Sequence, residues 1–459
     1  MSENTPLPTF RDPAGSVSFE AGQVVRRIHP ASREYALEFV NSAFYKKLVD
    51  RGDMVPSVVE DTAEGLRFLH PKIAVPTYPW EWTSAQWLAA GELTLQLGQE
   101  GVDAGWILKD ATPLNILFVG PKPVLVDVLS FDKLDPNSST WLAYAQYMRT
   151  FLLPLLANKL MQWPLELSMF KRDGYEPIDL YDALSTSKRF SPAAFWPITL
   201  PAMLEKRKGS GDAPVKVRPG SKDPELNKHI IKNAMKSLRK STLKAMPKDH
   251  DTEWANYTAN LTHYTAEQSQ AKHDWVKKVL EDFKPAMVLD IGANTGDFSK
   301  LASNSGAEVI ALERESQAAN KIFNTSRSGK FNIQTIHADL SRPTPAVGWN
   351  NAESTALMPR LAGQCDLVMQ LAVIHHIILL EQIPIPAIMD LMHTLTKDLL
   401  IIEWVPVTDS MFQSLMRGRD DLYGHLSSAD LLRACEGKFD VVREETLGNG
   451  RVMYLFKKK

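Results

Sequence analysis

The stretch AMVLDIGANTGDFSKLA (286–302) places Asp290, Gly292, Asn294 and Gly296 at alternate positions between an apolar run and a helical pattern. A strand that ends this way points its last carbonyls and the next helix's N–H groups at one spot. Gly292 and Gly296 remove β-carbons that would hold a nucleotide-sized ligand off the backbone. The spacing Asp-x-Gly-x-Asn-x-Gly is not the Gly-x-Gly-x-x-Gly of dinucleotide-binding proteins. Glu313 follows 23 residues after Asp290, at the end of a second apolar run. A carboxylate there can accept two hydrogen bonds from a ribose diol. Farther on, LAVIHHI supplies His375 and His376, whose ordinary pKa near neutrality suits a general base. The competing reading is that one histidine hydrogen-bonds in the core while its neighbour packs below a ligand. IIEWVPVTD adds Glu403, a further candidate for proton transfer, and Asp409. No cysteine or acidic partner stands at metal-ligand spacing around these groups.

The elements that must position these residues alternate strand and helix from about residue 252 onward. Candidate strands are AMVLD, AEVIALE (307–313), NIQTIHADL (332–340), CDLVMQL (365–371) and DLLIIEWV (398–405). Most are short, nearly continuous apolar runs, as expected of parallel strands covered on both faces. The end of the chain differs: FDVVREETL and RVMYLFKK flank Asn449-Gly450, a hairpin signal. The predicted fold is α/β, a seven-stranded sheet whose last strand is antiparallel. A dinucleotide-binding fold would finish on a sixth parallel strand instead.

The Asp-x-Gly-x-Asn-x-Gly loop and the terminal hairpin resemble class I S-adenosylmethionine-dependent methyltransferases, which have a Rossmann-like sheet. The resemblance implies that Asp290 faces the cationic methionine end of S-adenosylmethionine. It also implies that Asp339, in HADL, receives the adenine amino group. Leu340 and Gln370 join the expected cofactor set, and His375 and His376 would lie beside the donor methyl. Each carboxylate alone could merely cap the next helix. Three at consecutive strand ends beside a glycine loop argue for a ligand, since open α/β sheets bind ligands at that edge. DIGANTGDFS, LAVIHHI and IIEWVPVTDSMF, together with YPWEWTSAQ and LKDATPLNILFVGPKPVLVDVLSF upstream, resemble a bacterial family of two-part, nodulation-protein-like methyltransferases. That resemblance implies the fold and methyl transfer but not the acceptor; separately, we expect an oxygen or nitrogen of a small molecule, sugar or glycolipid precursor.

The N-terminal half carries a second constellation. Asp110 and Asn115 sit five apart in LKDATPLNILF, and a predicted hairpin leads to Asp127 in VLVDVLSF. The spacing resembles the catalytic loop of protein kinases and small-molecule phosphotransferases, implying an α+β kinase-like domain. There one Asp orients the attacking hydroxyl, while the Asn and a second Asp hold magnesium on the phosphates of ATP. The departures are plain. Lys109 stands where Arg is usual and Leu108 where His is usual, and Asp127 precedes Val-Leu rather than Phe-Gly. In place of a Gly-rich phosphate loop, GSVSFEAGQVVRRI (15–28) reads as a hairpin with Arg26 or Arg27 near the expected lysine. Three readings follow: an active magnesium-ATP phosphotransferase, a kinase-like shell that binds without turnover, or a scaffold. Trp80, Trp82 and Trp87 are candidates for stacking on a sugar or base, with core packing the commoner explanation.

Length and composition bound the rest. The chain has 459 residues, 44% hydrophobic and 23% charged, enough for two globular domains. We expect a kinase-like domain over 1–205, a basic linker or helix over 206–250, and a methyltransferase domain over 251–459. The basic run reads first as a solvated linker, with contact to phosphate or anionic lipid the minority reading. A net charge of −2 gives no general reason to expect nucleic acid or an anionic membrane as partner. Cys365 and Cys435 cannot build a disulfide framework, and no secretion signal or membrane span is visible, so a cytoplasmic protein is expected. Trp254, Tyr257 and Tyr264 are placed to cover the pocket or simply to pack. The sequence is silent on oligomeric state.

Overall fold

The computed structural model describes residues 11–20, 22–208, 220–248 and 265–459. The chain divides into two compact units, Met1–Lys248 with Val347–Ser354, and Asp249–Ala346 with Thr355–Lys459.

The first unit opens on a four-stranded antiparallel sheet in the order β1 (Gly15–Glu20), β2 (Gln23–Ile28), β4 (Gly65–Pro71), β3 (Val58–Thr62). Helices Arg33–Asn41 and Ala43–Asp50 lie between β2 and β3 in the chain. The long helix Ser84–Asp103 begins at a reciprocal cap, Thr83 with Gln86, that satisfies two N–H groups otherwise left open. It leads to β5 (Trp106–Leu108), the hairpin β6 (Ile116–Val119)–β7 (Lys122–Leu125), and β8 (Phe131–Lys133), which pairs with β5. Helical segments follow to residue 208. Aromatic contacts fill the core: Phe39 stacks on Phe131, and Trp82 meets Phe118 edge-on at 5.1 Å. Trp80, Trp82 and Trp87 are all buried, and the Trp82 and Trp87 indoles donate to Thr77 and the Pro79 carbonyl. They are core residues rather than a stacking platform.

The basic run has two fates. Residues 209–219 lie outside the described residues, while Pro224–Ala245 is a helix capped by the Asp223 carboxylate. It packs on the Ser84–Asp103 helix: Met235 fills the space above Gly98, and Lys232 and Arg239 pair with Asp103 and Glu92. Its second half is therefore a built part of the first unit.

The second unit is a seven-stranded sheet, with β9 (Met287–Ile291), β10 (Glu308–Glu313), β11 (Ile333–His337), β12 (Cys365–Gln370), β13 (Thr396–Trp404), β14 (Phe439–Thr446) and β15 (Val452–Lys458). The order is β11-β10-β9-β12-β13-β15-β14; the first five are parallel and β15 is antiparallel to both neighbours. The crossover falls between β9 and β12, where chain direction outward from β9 reverses and a crevice opens. The central strands are buried on both faces, as their apolar runs predict. On one face Val288, Leu367, Met369 and Ile401 meet Trp275, Val276, Val279 and Leu280 of the helix Ala266–Phe283. That helix starts at a second reciprocal cap, Thr265 with Gln268. At the last turn the Asn449 side chain accepts from the Arg451 N–H, and Gly450 takes φ +78°, so the predicted hairpin forms between β14 and β15.

Candidate functional site

A cavity of about 890 Å³ opens at the C-terminal edge of β9, β10, β11 and β12. Its floor is the loop after β9. Gly292 and Ala293 donate their N–H groups to the Leu312 carbonyl at 2.9 and 3.2 Å, which folds the loop back over β10. Gly292 has φ +70°, and a β-carbon there would stand 2.5 Å from Val373 Cγ2, so both conformation and space demand glycine. Gly296 has another duty. It does not line the cavity; its missing β-carbon leaves room for Ile322, 3.1 Å from where that atom would be.

Asp290, Gly292, Asn294, Glu313, Asp339 and Leu340 all line the cavity. Asp290 is 2% exposed, and its Oδ2 accepts from Ser299 Oγ at 2.6 Å. Loss of hydration on burial pushes its pKa up to about 6, against the pull of that hydrogen bond. Glu313 accepts the N–H groups of Asn294 and Glu315, each at 2.7 Å, so the acid of the second strand also braces the loop of the first. Burial raises its pKa as well. Asn294 Oδ1 is buried without a hydrogen-bond partner. Asp339 accepts from the Ser341 N–H at 2.8 Å and lies near Arg342 (3.4 Å) and Arg314 (3.9 Å). Both arginines also pair with Glu381, at 2.5 and 3.5 Å.

The remaining sequence candidates separate. His376 lines the cavity; His375 does not, is 2% exposed, and has no hydrogen-bond partner on either ring nitrogen. Burial, then the charges of Arg314 and Arg451, hold the His376 pKa down at about 4. Gln370 is fully buried away from the cavity, with both amide atoms unpartnered. Glu403 is also absent from the cavity wall. It is fully buried in an ion chain, receiving Lys272 Nζ at 2.6 Å and Arg451 at 3.1 Å, while Arg451 reaches Asp409 at 2.9 Å. A carboxylate held between two cations is a structural anchor, which corrects its reading as a proton-transfer group. Trp254, Tyr257 and Tyr264 lie outside the described residues. Sequence reasoning missed Lys272 and His273 on the helix before β9, Phe298, and Arg314 and Glu381 of the wall, the latter paired to Arg342 from outside the lining. Arg314 directly follows Glu313 and is conspicuous in that position; Lys272 has no motif to mark it.

In the first unit Asp127 gathers the other constellation. Its Oδ2 receives Ser130 Oγ at 2.7 Å and Asn115 Nδ2 at 3.5 Å, and its Oδ1 receives the Leu129 N–H at 3.1 Å. Arg26 pairs with Asp127 at 3.2 Å and with Asp12 at 3.1 Å. Arg27 pairs with Glu20 at 2.7 Å, which settles the choice between the two arginines: only Arg26 faces the cluster. Asp110 has its pKa raised by burial and by the nearby charge of Asp127. Among the described residues no group of three or more His, Cys, Asp or Glu is arranged to hold a metal ion.

Five parallel strands in this order, closed by an antiparallel pair, make the second unit a mixed α/β sheet of seven strands. Over 466 aligned residues the chain is 30% identical to nodulation protein NoeA of Rhizobium meliloti (strain 1021), covering 98% of this chain and 95% of that protein. The chain belongs to the NoeA family of nodulation proteins. No protein-family model matches it. Solved structures similar to part of it include magnesium protoporphyrin IX methyltransferase of Synechocystis PCC 6803 with bound SAH, at 15% identity, 46% of this chain, 90% of that chain and TM-score 0.31. The N-methyltransferase NodS of Bradyrhizobium japonicum WM9 is 11% identical over 42% of this chain and 97% of that one, with TM-score 0.31. The bifunctional kinase-methyltransferase WbdD is 17% identical over 41% and 38%, with TM-score 0.30. No helix among the described residues is long and apolar enough to cross a membrane.

Proposed function

We propose that the second unit is an S-adenosylmethionine-dependent methyltransferase acting on an oxygen or nitrogen of a small molecule, sugar or glycolipid precursor. The observation that carries this reading is the convergence of Asp290, Glu313 and Asp339, from the ends of β9, β10 and β11, on one cavity. The residues suit the cofactor. Asp290 is a buried carboxylate with no cation within 4 Å among the described residues, only the more distant charge of Lys272, which suits a cationic ligand group. Glu313 keeps lone pairs for a diol, and the unpartnered Asn294 Oδ1 can accept from a ligand. The bound sulfonium would supply an already activated methyl group, so the chain's part is orientation and, for a protonated nucleophile, a base.

His376 is the better placed of the two histidines for that base. Because burial and neighbouring cations depress its pKa to about 4, it is neutral and able to accept a proton at pH 7. Activity that depends on it should therefore lose its acid limb near pH 4, not near 6.5; a limb at 6.5 that vanishes in His376→Asn would contradict this. Asp290→Ala should abolish S-adenosylmethionine binding in calorimetry, and undiminished affinity would remove the loop assignment. Labelled donor with cell extract then identifies the acceptor. A cofactor-binding regulator, the non-catalytic alternative, would bind donor yet leave no labelled product.

A second reading concerns the first unit as a kinase-like domain with Asp110, Asn115 and Asp127 in its site. The meeting of Asn115 and Asp127 at Ser130, with Arg26 beside Asp127 and the Asp127 charge felt by Asp110, favours it over a bare scaffold. Arg26 already supplies Asp127 with a positive charge, which favours a shell that does not turn over magnesium-ATP. A bifunctional enzyme would instead consume magnesium-ATP when acceptor is present, and Asp127→Asn would stop it.

A further inference from the structure

The basic run of residues 220–248 holds seven lysines and one arginine against Asp223 and Glu225, a net +6 in a chain whose total is −2. The remaining residues therefore sum to −8, so positive charge is concentrated on this segment. The structure shows how it is presented. The Pro224–Ala245 helix, about 33 Å long at 1.5 Å per residue, buries Asn227, Ile231, Met235, Leu238 and Thr242 in the first unit. Lys228, Lys232 and Arg239, on its flanks, are taken up by Glu225, Asp103 and Glu92.

The outward face is different. Lys236, Lys240 and Lys244 follow one another at four-residue spacing, all exposed and none in an ion pair. At about 100° per residue they share a single arc with Leu226, Ile230 and Leu243, which are 46, 43 and 46% exposed. The helix's one carboxylate, Glu225, stands in the first turn at the edge of that arc and is paired to Lys228.

We propose that this face docks the protein on an anionic lipid surface. Lysines ranked beside exposed aliphatic side chains match the headgroup region of such a surface, where ammonium groups meet phosphates and short apolar side chains reach the acyl boundary. A nucleic-acid partner fits less well, because residues 220–248 contain no Phe, Tyr or Trp on which a base could stack. A solvated face would not need Leu226 and Ile230 one turn apart beside the lysine row. The inference rests on the first unit alone and stands whether or not the second unit transfers methyl groups.

Flotation of the full chain with phosphatidylcholine vesicles, with and without phosphatidylglycerol, tests it. Binding is expected only with phosphatidylglycerol present, weakening as salt screens the surface. Lys236→Glu/Lys240→Glu/Lys244→Glu should lower partitioning by about 100-fold or more, with an unchanged melting temperature because all three side chains project into solvent. Leu226→Ser/Ile230→Ser should weaken the part of binding that survives high salt. Equal binding to neutral vesicles, no binding to either, or wild-type behaviour of the triple lysine variant would each overturn the proposal. So would binding to a nucleic-acid duplex by a chain that ignores anionic vesicles.

Discussion

The two acidic constellations of this protein are compensated in opposite ways. In the first unit Asp127 has Arg26 at 3.2 Å, with Ser130 and Asn115 as added donors. In the second, Asp290 and Glu313 are more deeply buried, yet receive only neutral donors: one hydroxyl for Asp290 and backbone N–H groups for Glu313. Burying a carboxylate without a cation is costly, and both pKa values rise for that reason. On the proposed reading, a site that bears this cost suits positive charge brought by a ligand. A site that carries its own arginine is balanced already, and a metal cation would have to compete with Arg26 for Asp127.

The largest effect should come from removing the uncompensated charge. Asp290 ionises near 6 in the fold against 3.8 for an ordinary aspartate. Between those values the folded state holds a proton that the unfolded chain has released, so stability falls as pH rises through this window. The difference corresponds to about 3 kcal/mol. Asp290→Asn should therefore raise the stability of the ligand-free protein by about that amount at pH 8, with the gain disappearing below pH 4, where the aspartate is neutral. Urea unfolding of both proteins at the two pH values measures it. A gain that is the same at pH 4 would show that packing, not charge, is responsible.

Much of this contrast is legible in the sequence. The strand ends that carry Asp290, Glu313 and Asp339 follow from apolar runs closed by turn residues, and the Asn449-Gly450 hairpin from turn chemistry. The limits are matters of phase and of long-range pairing. Arg26 and Arg27 alternate on one strand and so face opposite sides; sequence cannot say which side the cluster occupies. His375 and His376 are separated by about 100° on a helical turn, so only one enters the cavity, and the choice depends on where that helix starts. Glu403 sits at a strand end like the others, but its partners Lys272 and Arg451 come from a preceding helix and the last hairpin. No local pattern marks such a chain of charges.

A smaller effect is expected on the compensated side. Arg26→Met leaves Asp127 and Asp12 without their shared cation, beside Asp110, whose pKa is already raised. The first unit should lose about 2 kcal/mol. Asp127→Asn in the same background should return most of it, because it removes the charge left unpaired. A double variant no better than Arg26→Met alone would mean that the guanidinium acts by packing, and the contrast between the two sites would fail there.

The smallest effect separates burial from charge pairing. Asp339 is the one acid of the second constellation with arginines nearby, and its pairs sit at the cavity mouth, with the Arg342 side chain 71% exposed. Water screens such a pair, so Arg342→Ala should change stability by less than about 0.5 kcal/mol, with Arg314 still beside Glu381 and Asp339. If the loss instead approached that of Arg26→Met, exposure would not be what distinguishes the acids of the two sites. The cation deficit at Asp290 would then have to be explained by something other than its depth.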